Sequence, residues 1–348
     1  MKKRILLSLL PLALLADDQL KVYHIGNSLT ASLTLDRVHR LFEQMEIDYQ
    51  FGAQLSGGKS LIRHMNYKQE PGQKWINWET NQAVEGGFEP DPNPYHGEEN
   101  IRFGYYEEAL SNHKWDTVVM QLYGSSLHDD VQAISHFTEI CLKNKTCNNF
   151  YIYSTWPRRD KEKQPDGSIR IKDIDYPSAW KRPYEFDVTS TEKGASRNTP
   201  TREYTEKVYS EMRTRLPESV SLQIIPAGEV LFQLDQKIKA GEIPGLQALA
   251  ERNPALVPGW ENGADLSRGI NLLYADAIHL NPIPHKEGTL GIFVSGTTVF
   301  TALSGKNPQG MSAADYGLDD TLDAALIRAV QTVIRDTVRS QAEALANP

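Results

Sequence analysis

Hydrophobic positions along this chain follow two periods in turn. Val22, Tyr23 and Ile25 make an apolar-rich strand of Lys21 to Ile25 that ends at Gly26-Asn27-Ser28. Leu35, Val38, Leu41, Phe42 and Met45 then recur at helical spacing. Further units follow: strands at Tyr49 to Gln54, Trp115 to Leu122, Phe150 to Ser154 and Ser221 to Pro226, and helices at Val131 to Leu142 and Thr201 to Leu216. A helix from about Pro284-His285 runs through Leu290, Phe293 and Val299, and a last one, about Thr321 to Leu345, carries Leu322, Ala325, Leu326, Val330, Val333 and Ile334 on one stripe. Strands alternating with helices imply right-handed crossovers, so the pattern predicts an α/β fold whose mostly parallel sheet is covered on both faces. Two stretches break the rhythm. Residues 66–102 carry Trp75, Trp78 and Tyr95, and residues 156–198 are rich in charge, Pro and Tyr. Long insertions in such folds gather at the carboxyl ends of the strands, which makes these two candidate walls or lids of a site. The alternative is that their aromatics fill satellite cores.

Composition narrows the partners. In 348 residues, 37 Lys and Arg stand against 45 Asp and Glu, a formal charge of -8. Phosphate binding needs concentrated positive charge, so no nucleic-acid partner is expected. The first residues, Met1-Lys2-Lys3-Arg4 followed by an apolar run to Ala16 and then Asp17-Asp18, have the plan of a secretory signal. We place the cleavage after Ala16, leaving 17–348 as one domain with insertions in a periplasmic or secreted protein. Leu14 suits the cleavage site poorly, so a retained anchor is the alternative, although the run is short for a bilayer span. In an oxidising compartment Cys141 and Cys147 could close a small disulfide loop, or both remain thiols.

Ser28 stands where the first strand gives way to the first helix. A hydroxyl there points out of the sheet's carboxyl edge, beside helix-start amides that can steady an oxyanion. A serine needs a base, usually a His held by a carboxylate. Tyr274-Ala-Asp276-Ala-Ile-His279 supplies one, with Asp276 and His279 on the same side of a single turn.

Together, Gly26-Asn27-Ser28-Leu29-Thr30 after the first strand and Asp276-x-x-His279 before the last helices resemble the first and last signature blocks of the SGNH/GDSL hydrolases. The resemblance implies a flavodoxin-like α/β/α sandwich and a serine esterase without a cofactor, with Ser28 as nucleophile, His279 as base and Asp276 orienting it. Asn27 replaces the Asp of the name motif. Leu55-Ser-Gly57-Gly58-Lys-Ser60 resembles the second block, whose Gly donates a backbone amide to the oxyanion; that role falls on Gly58, with Gly57 as the alternative. The third block, Gly-x-Asn-Asp in the family, has no counterpart of its Asn in Val118-Val-Met-Gln121-Leu-Tyr-Gly124-Ser125. We assign the missing amide to Gln121, giving an oxyanion hole of Ser28, Gly58 and Gln121, with Ser125 as the alternative third donor. By the same resemblance, and given export and the aromatic insertions, the expected substrate is an O-acetylated carbohydrate, with lipid esters second.

Other readings of these residues are weaker. Ala53 to Ser60 satisfies a permissive Walker A pattern, but its first position is Ala and the Trp115 strand ends in Gln121 rather than a magnesium-binding Asp. The α/β-hydrolase elbow Gly-x-Ser-x-Gly is absent from the sequence. Asp91, His96, Glu98 and Glu99 read as a solvated loop rather than a metal site, so no metal is expected. His24, His64, His128 and His285 read as structural or surface residues. Arg158, Arg159, Arg182 and Arg197 could meet a uronate or sulfate, or serve solubility. The missing Asn leaves one reading from another class, a non-catalytic glycan-binding module on the same fold.

Overall fold

The structure is a computed structural model, and it describes residues 19–69, 76–79, 105–123, 125–190, 200–260, 264–282 and 287–346. The expected leader at 1–16, most of the first insertion with Trp75, Tyr95 and the Asp91 to Glu99 cluster, and Arg197 and His285 all lie outside the described residues.

The sheet strands are β1 (Gln19–Gly26), β2 (Asp48–Leu55), β3 (Ile76–Glu79), β4 (Thr117–Gln121) and β5 (Asn149–Tyr153), with a separate hairpin of β6 (Lys161–Lys163) and β7 (Ile169–Ile171), and finally β8 (Ser221–Ile225). The helices are α1 (Ser28–Ala31), α2 (Leu35–Glu43), α3 (Leu61–Met65), α4 (Tyr106–Asn112), α5 (Leu127–Asn144), α6 (Tyr176–Trp180), α7 (Arg202–Arg215), α8 (Ala227–Lys239), α9 (Leu246–Arg252), α10 (Leu290–Ser304) and α11 (Ala324–Ala346). The sheet order is β3-β2-β1-β4-β5-β8, parallel throughout except for β3, which runs antiparallel to β2 at the edge. The parallel strands, taken in chain order, thus lie 2-1-3-4-5, the flavodoxin-like order in which ligands bind where the strand order reverses. That reversal falls between β1 and β4, and Ser28 stands just past the end of β1.

Alternation along each strand splits the core between two faces, because successive side chains leave a strand on opposite sides. Leu20, Val22, Val119, Tyr151 and Tyr153 pack toward α2, α8, α10 and α11. Tyr23, Ile25, Val118, Met120, Phe150 and Ile152 pack toward α4, α5 and α7. No helix among the described residues is long and apolar enough to cross a membrane.

Both cysteines are free thiols in the core. Cys141 is on the inner side of α5, and the Cys147 thiol donates to the Asn149 carbonyl at 3.2 Å, so the disulfide is not formed. Burial pushes the thiols up, to about 12 and about 11 respectively.

The second half-core also encloses an acid. Asp130, fully buried at the start of α5, accepts a short hydrogen bond from the Tyr204 hydroxyl. Burial pushes its carboxyl up from 3.8 to about 7, aided by Asp129 and opposed by Tyr204 and Ser125. The folded state therefore prefers the protonated acid, and this preference stabilises the fold fully below the ordinary value and is lost as pH rises through about 7. Melting curves of Asp130→Asn should accordingly show a gain over the parent that grows between pH 5 and pH 8. A gap independent of pH would remove Asp130 as its source.

Candidate active site

β1 delivers the chain to the switch point, and Asn27 then caps α1: its Oδ1 accepts from the Leu29 amide at 3.0 Å. Ser28 is consequently the first helical residue, whose amide has no partner within the helix. The turn is crowded. A Cβ on Gly26 would lie 2.3 Å from Thr30 Oγ1 and 2.8 Å from Gln121 Oε1, so only glycine fits there.

The acid and base arrive from the loop between the 3₁₀ segment Leu266–Leu273 and α10. His279 Nε2 lies 2.9 Å from Ser28 Oγ across 251 positions of sequence, and Nδ1 lies 2.7 Å from Asp276 Oδ2. The other carboxylate oxygen accepts from the amides of Ile278 and His279 at 2.7 and 2.8 Å. Half-burial alone would raise the Asp276 carboxyl; the bonds from the His279 ring and these two amides instead hold it well below the usual carboxylate range. It is therefore ionised at any ordinary pH and fixes Nδ1 as the protonated ring nitrogen, leaving Nε2 to accept from Ser28. Each of the three is partly exposed while the residues on either side of Ser28 and His279, namely Asn27, Leu29, Ile278 and Leu280, are buried, so the three polar groups emerge from a close-packed floor.

The second insertion begins by bracing this loop. Trp156 Nε1 donates to the Ile278 carbonyl at 2.7 Å, the Arg159 amide to the Ala277 carbonyl at 2.8 Å, and the Tyr274 hydroxyl to the Pro157 carbonyl at 2.8 Å. Trp156 was not singled out as a site residue from sequence; no local pattern marks a tryptophan whose partner lies 122 positions away. The aromatics of this insertion point inward: Trp156, Tyr176, Trp180 and Tyr184 are all buried, so of the two readings of this stretch they follow the one in which its aromatics fill core rather than line a wall. Arg159 is likewise buried and bonded to Asp173, out of reach of a substrate anion, whereas Arg158 and Arg182 are exposed.

No protein-family profile and no curated protein matches the sequence. Solved structures do. A DUF4886 family protein from Bacteroides uniformis is similar with a TM-score of 0.49 and 17% identity, over 92% of this chain and 95% of the other. A presumed SGNH hydrolase from Slackia heliotrinireducens is similar with a TM-score of 0.35 and 14% identity, over 81% of this chain and 97% of the other.

The remaining expected residues sit around Ser28. Of the two second-block glycines, only Gly58 is left-handed, at φ +68, in a turn closed by the Lys59 amide on the Ser56 carbonyl. The turn is tied to the nucleophile's own, since Asn27 Nδ2 donates to the Lys59 carbonyl at 3.0 Å. A cleft of about 330 Å³ opens beside Gly58 and reaches Arg63, Ser125 and Asp129. A larger one of about 590 Å³ between α7, α8 and α11 contains none of Ser28, Asp276 and His279. Gln121 is buried, and its amide faces the α1 turn: Oε1 accepts from Asn27 N, Thr30 N and Thr30 Oγ1, and Nε2 donates to Asn27 Oδ1. His24 is bonded to the Tyr49 hydroxyl and burial pushes it down to about 3, and His64 faces Gln54. His128 Nδ1 faces the Val188 carbonyl. Among the described residues no three His, Cys, Asp or Glu side chains are grouped to hold a metal ion.

Proposed function

We propose that this protein is a serine ester hydrolase of the SGNH type, and the observation that carries the reading is the unbroken relay from Ser28 through His279 to Asp276. Ser28 Oγ adds to the ester carbonyl carbon while its proton passes to His279 Nε2. The negative oxygen is met by the amides of Ser28 and Gly58. Collapse expels the alcohol, which takes the proton from His279, and leaves an acyl-Ser28. Water then gives its proton to His279 and its oxygen to the acyl carbon, and departure of the acid returns the proton to Ser28. The finer reading, removal of O-acetyl groups from a carbohydrate by an exported enzyme, rests on the motif resemblance and the leader-like N-terminus. The buried aromatics of the second insertion lend it no support.

Hydrolysis of p-nitrophenyl acetate by the mature protein and by Ser28→Ala, both with a chelator present, tests the coarse reading. We expect activity in the parent and a loss of about 10³-fold or more in the variant. Equal rates, or binding of acetylated glycans without turnover, would replace the enzyme with the binding module.

A further inference from the structure

We infer that Gln121 is a positioning residue that locks the nucleophile's turn to the oxyanion turn, and not a donor to the oxyanion; the inference rests on the esterase reading above. The hydrogen-bond chain has only one consistent orientation. Asn27 N and Thr30 N are backbone donors and cannot accept, so the Gln121 atom 3.0 Å from each must be the carbonyl oxygen. The Leu29 amide fixes Asn27 Oδ1 as an acceptor in the same way, which places Gln121 Nε2 opposite it at 2.9 Å. Asn27 Nδ2 is thereby left for the Lys59 carbonyl, the residue after Gly58. Backbone groups at both ends therefore dictate every amide between them.

The consequence for chemistry lies in what each end holds. Oε1 gathers two amides and a hydroxyl of the turn bearing Ser28, while Nε2 passes the constraint through Asn27 to the turn bearing Gly58. The turn of the nucleophile and that of Gly58 are thus spaced by two buried side chains in series, Gln121 at the end of β4 and Asn27. Oε1 takes three of the four bonds, and Nε2 commits one of its two N–H groups to Asn27, the step that carries the constraint on to the Gly58 turn. Asn27, the departure from the Asp of the family's name motif, belongs to the same device, because a carboxylate could not donate to Lys59.

Variants separate the two ends. Gln121→Glu keeps an oxygen facing Asn27 N, Thr30 N and Thr30 Oγ1 but keeps the bond to Asn27 Oδ1 only while its carboxyl is protonated; Gln121→Met keeps the volume and loses both ends. We would measure kcat and KM on p-nitrophenyl acetate from pH 7 to pH 9, and the rate of labelling of Ser28 by a fluorophosphonate probe, with Ser28→Ala as control and melting curves for each. The clamp predicts that the Met variant loses about a hundredfold in kcat and in labelling with KM unchanged, and that the Glu variant loses activity as its carboxyl ionises and can no longer donate to Asn27 Oδ1. Thr30→Val, which removes only the hydroxyl bond and leaves Nε2 in place, should also lower kcat and labelling, and it decides the case if the Met variant does not fold. A folded Thr30→Val variant with parental kcat and labelling would overturn the clamp. A parent that neither turns over ester nor is labelled would overturn the esterase reading, and the clamp with it.

Discussion

Alanine at position 279 is expected to lower kcat for ester hydrolysis by about 10⁴-fold or more, and alanine at position 276 by a factor about 10- to 100-fold smaller. The order follows from what each group touches. His279 Nε2 meets the reacting hydroxyl, whereas Asp276 acts only through the ring and through the Ile278 and His279 amides. Asp276→Asn separates these two tasks. Its carbonyl oxygen can keep the amide caps, so the loop stays closed, but its NH₂ then faces Nδ1, forcing the proton onto Nε2 and removing the base. The Asn variant should therefore stay folded with a somewhat lower melting temperature at neutral pH, because the bonds that favour the ionised carboxyl are weakened, and fall well below the parent in kcat. Active-site titration beside steady-state rates checks this; an Asn variant with parental kcat would dissociate Asp276 from the chemistry.

The parallel scaffold was legible because its signals are local. Each of β1, β2, β4, β5 and β8 is a short apolar run bounded by turn residues, and the predicted ends fall within two residues of the observed ones. The Ser28, Asp276 and His279 constellation was legible for a related reason: motif spacing and strand position are written in sequence, so the expected residues could be tested as a group and prove to be in hydrogen-bond contact. Less of the rest could be read. The antiparallel edge strand β3 lies inside what reads as an insertion, and its pairing with β2 depends on a neighbour some two dozen positions earlier. Helix α8 was missed although Val230, Leu231, Leu234 and Ile238 recur at helical spacing. Burial of Tyr176 and Trp180 is equally invisible in sequence, since an aromatic in a polar stretch reads alike whether it faces solvent or α8. The orientation of Gln121 belongs to this class: the chain marks an amide at the strand end, and only the approach of β4 to the α1 turn decides which way it points.

That approach gives Gly26→Ala a large expected effect on both stability and activity, although the residue lies outside the three relay residues. The added methyl would stand 2.3 Å from Thr30 Oγ1, 3.0 Å from Thr30 Cβ and 2.8 Å from Gln121 Oε1. Thr30 cannot turn aside freely, because its χ1 is stiff and its hydroxyl is bonded to Gln121 at 2.7 Å. The strain should cost about 1–3 kcal/mol of stability, as overpacking of a close-packed interior does. The activity loss should be larger than that figure suggests, about a hundredfold, because displacement falls on the turn that aims Ser28 at His279. A double variant separates strain from other causes. Thr30→Ala in the Gly26→Ala background removes the closest contact, so the pair should be more stable than the sum of the two single changes predicts, while the clash with Gln121 keeps recovery partial. Denaturant melts of the four proteins measure the coupling directly, and strict additivity would mean that Thr30 is not what excludes a side chain from position 26.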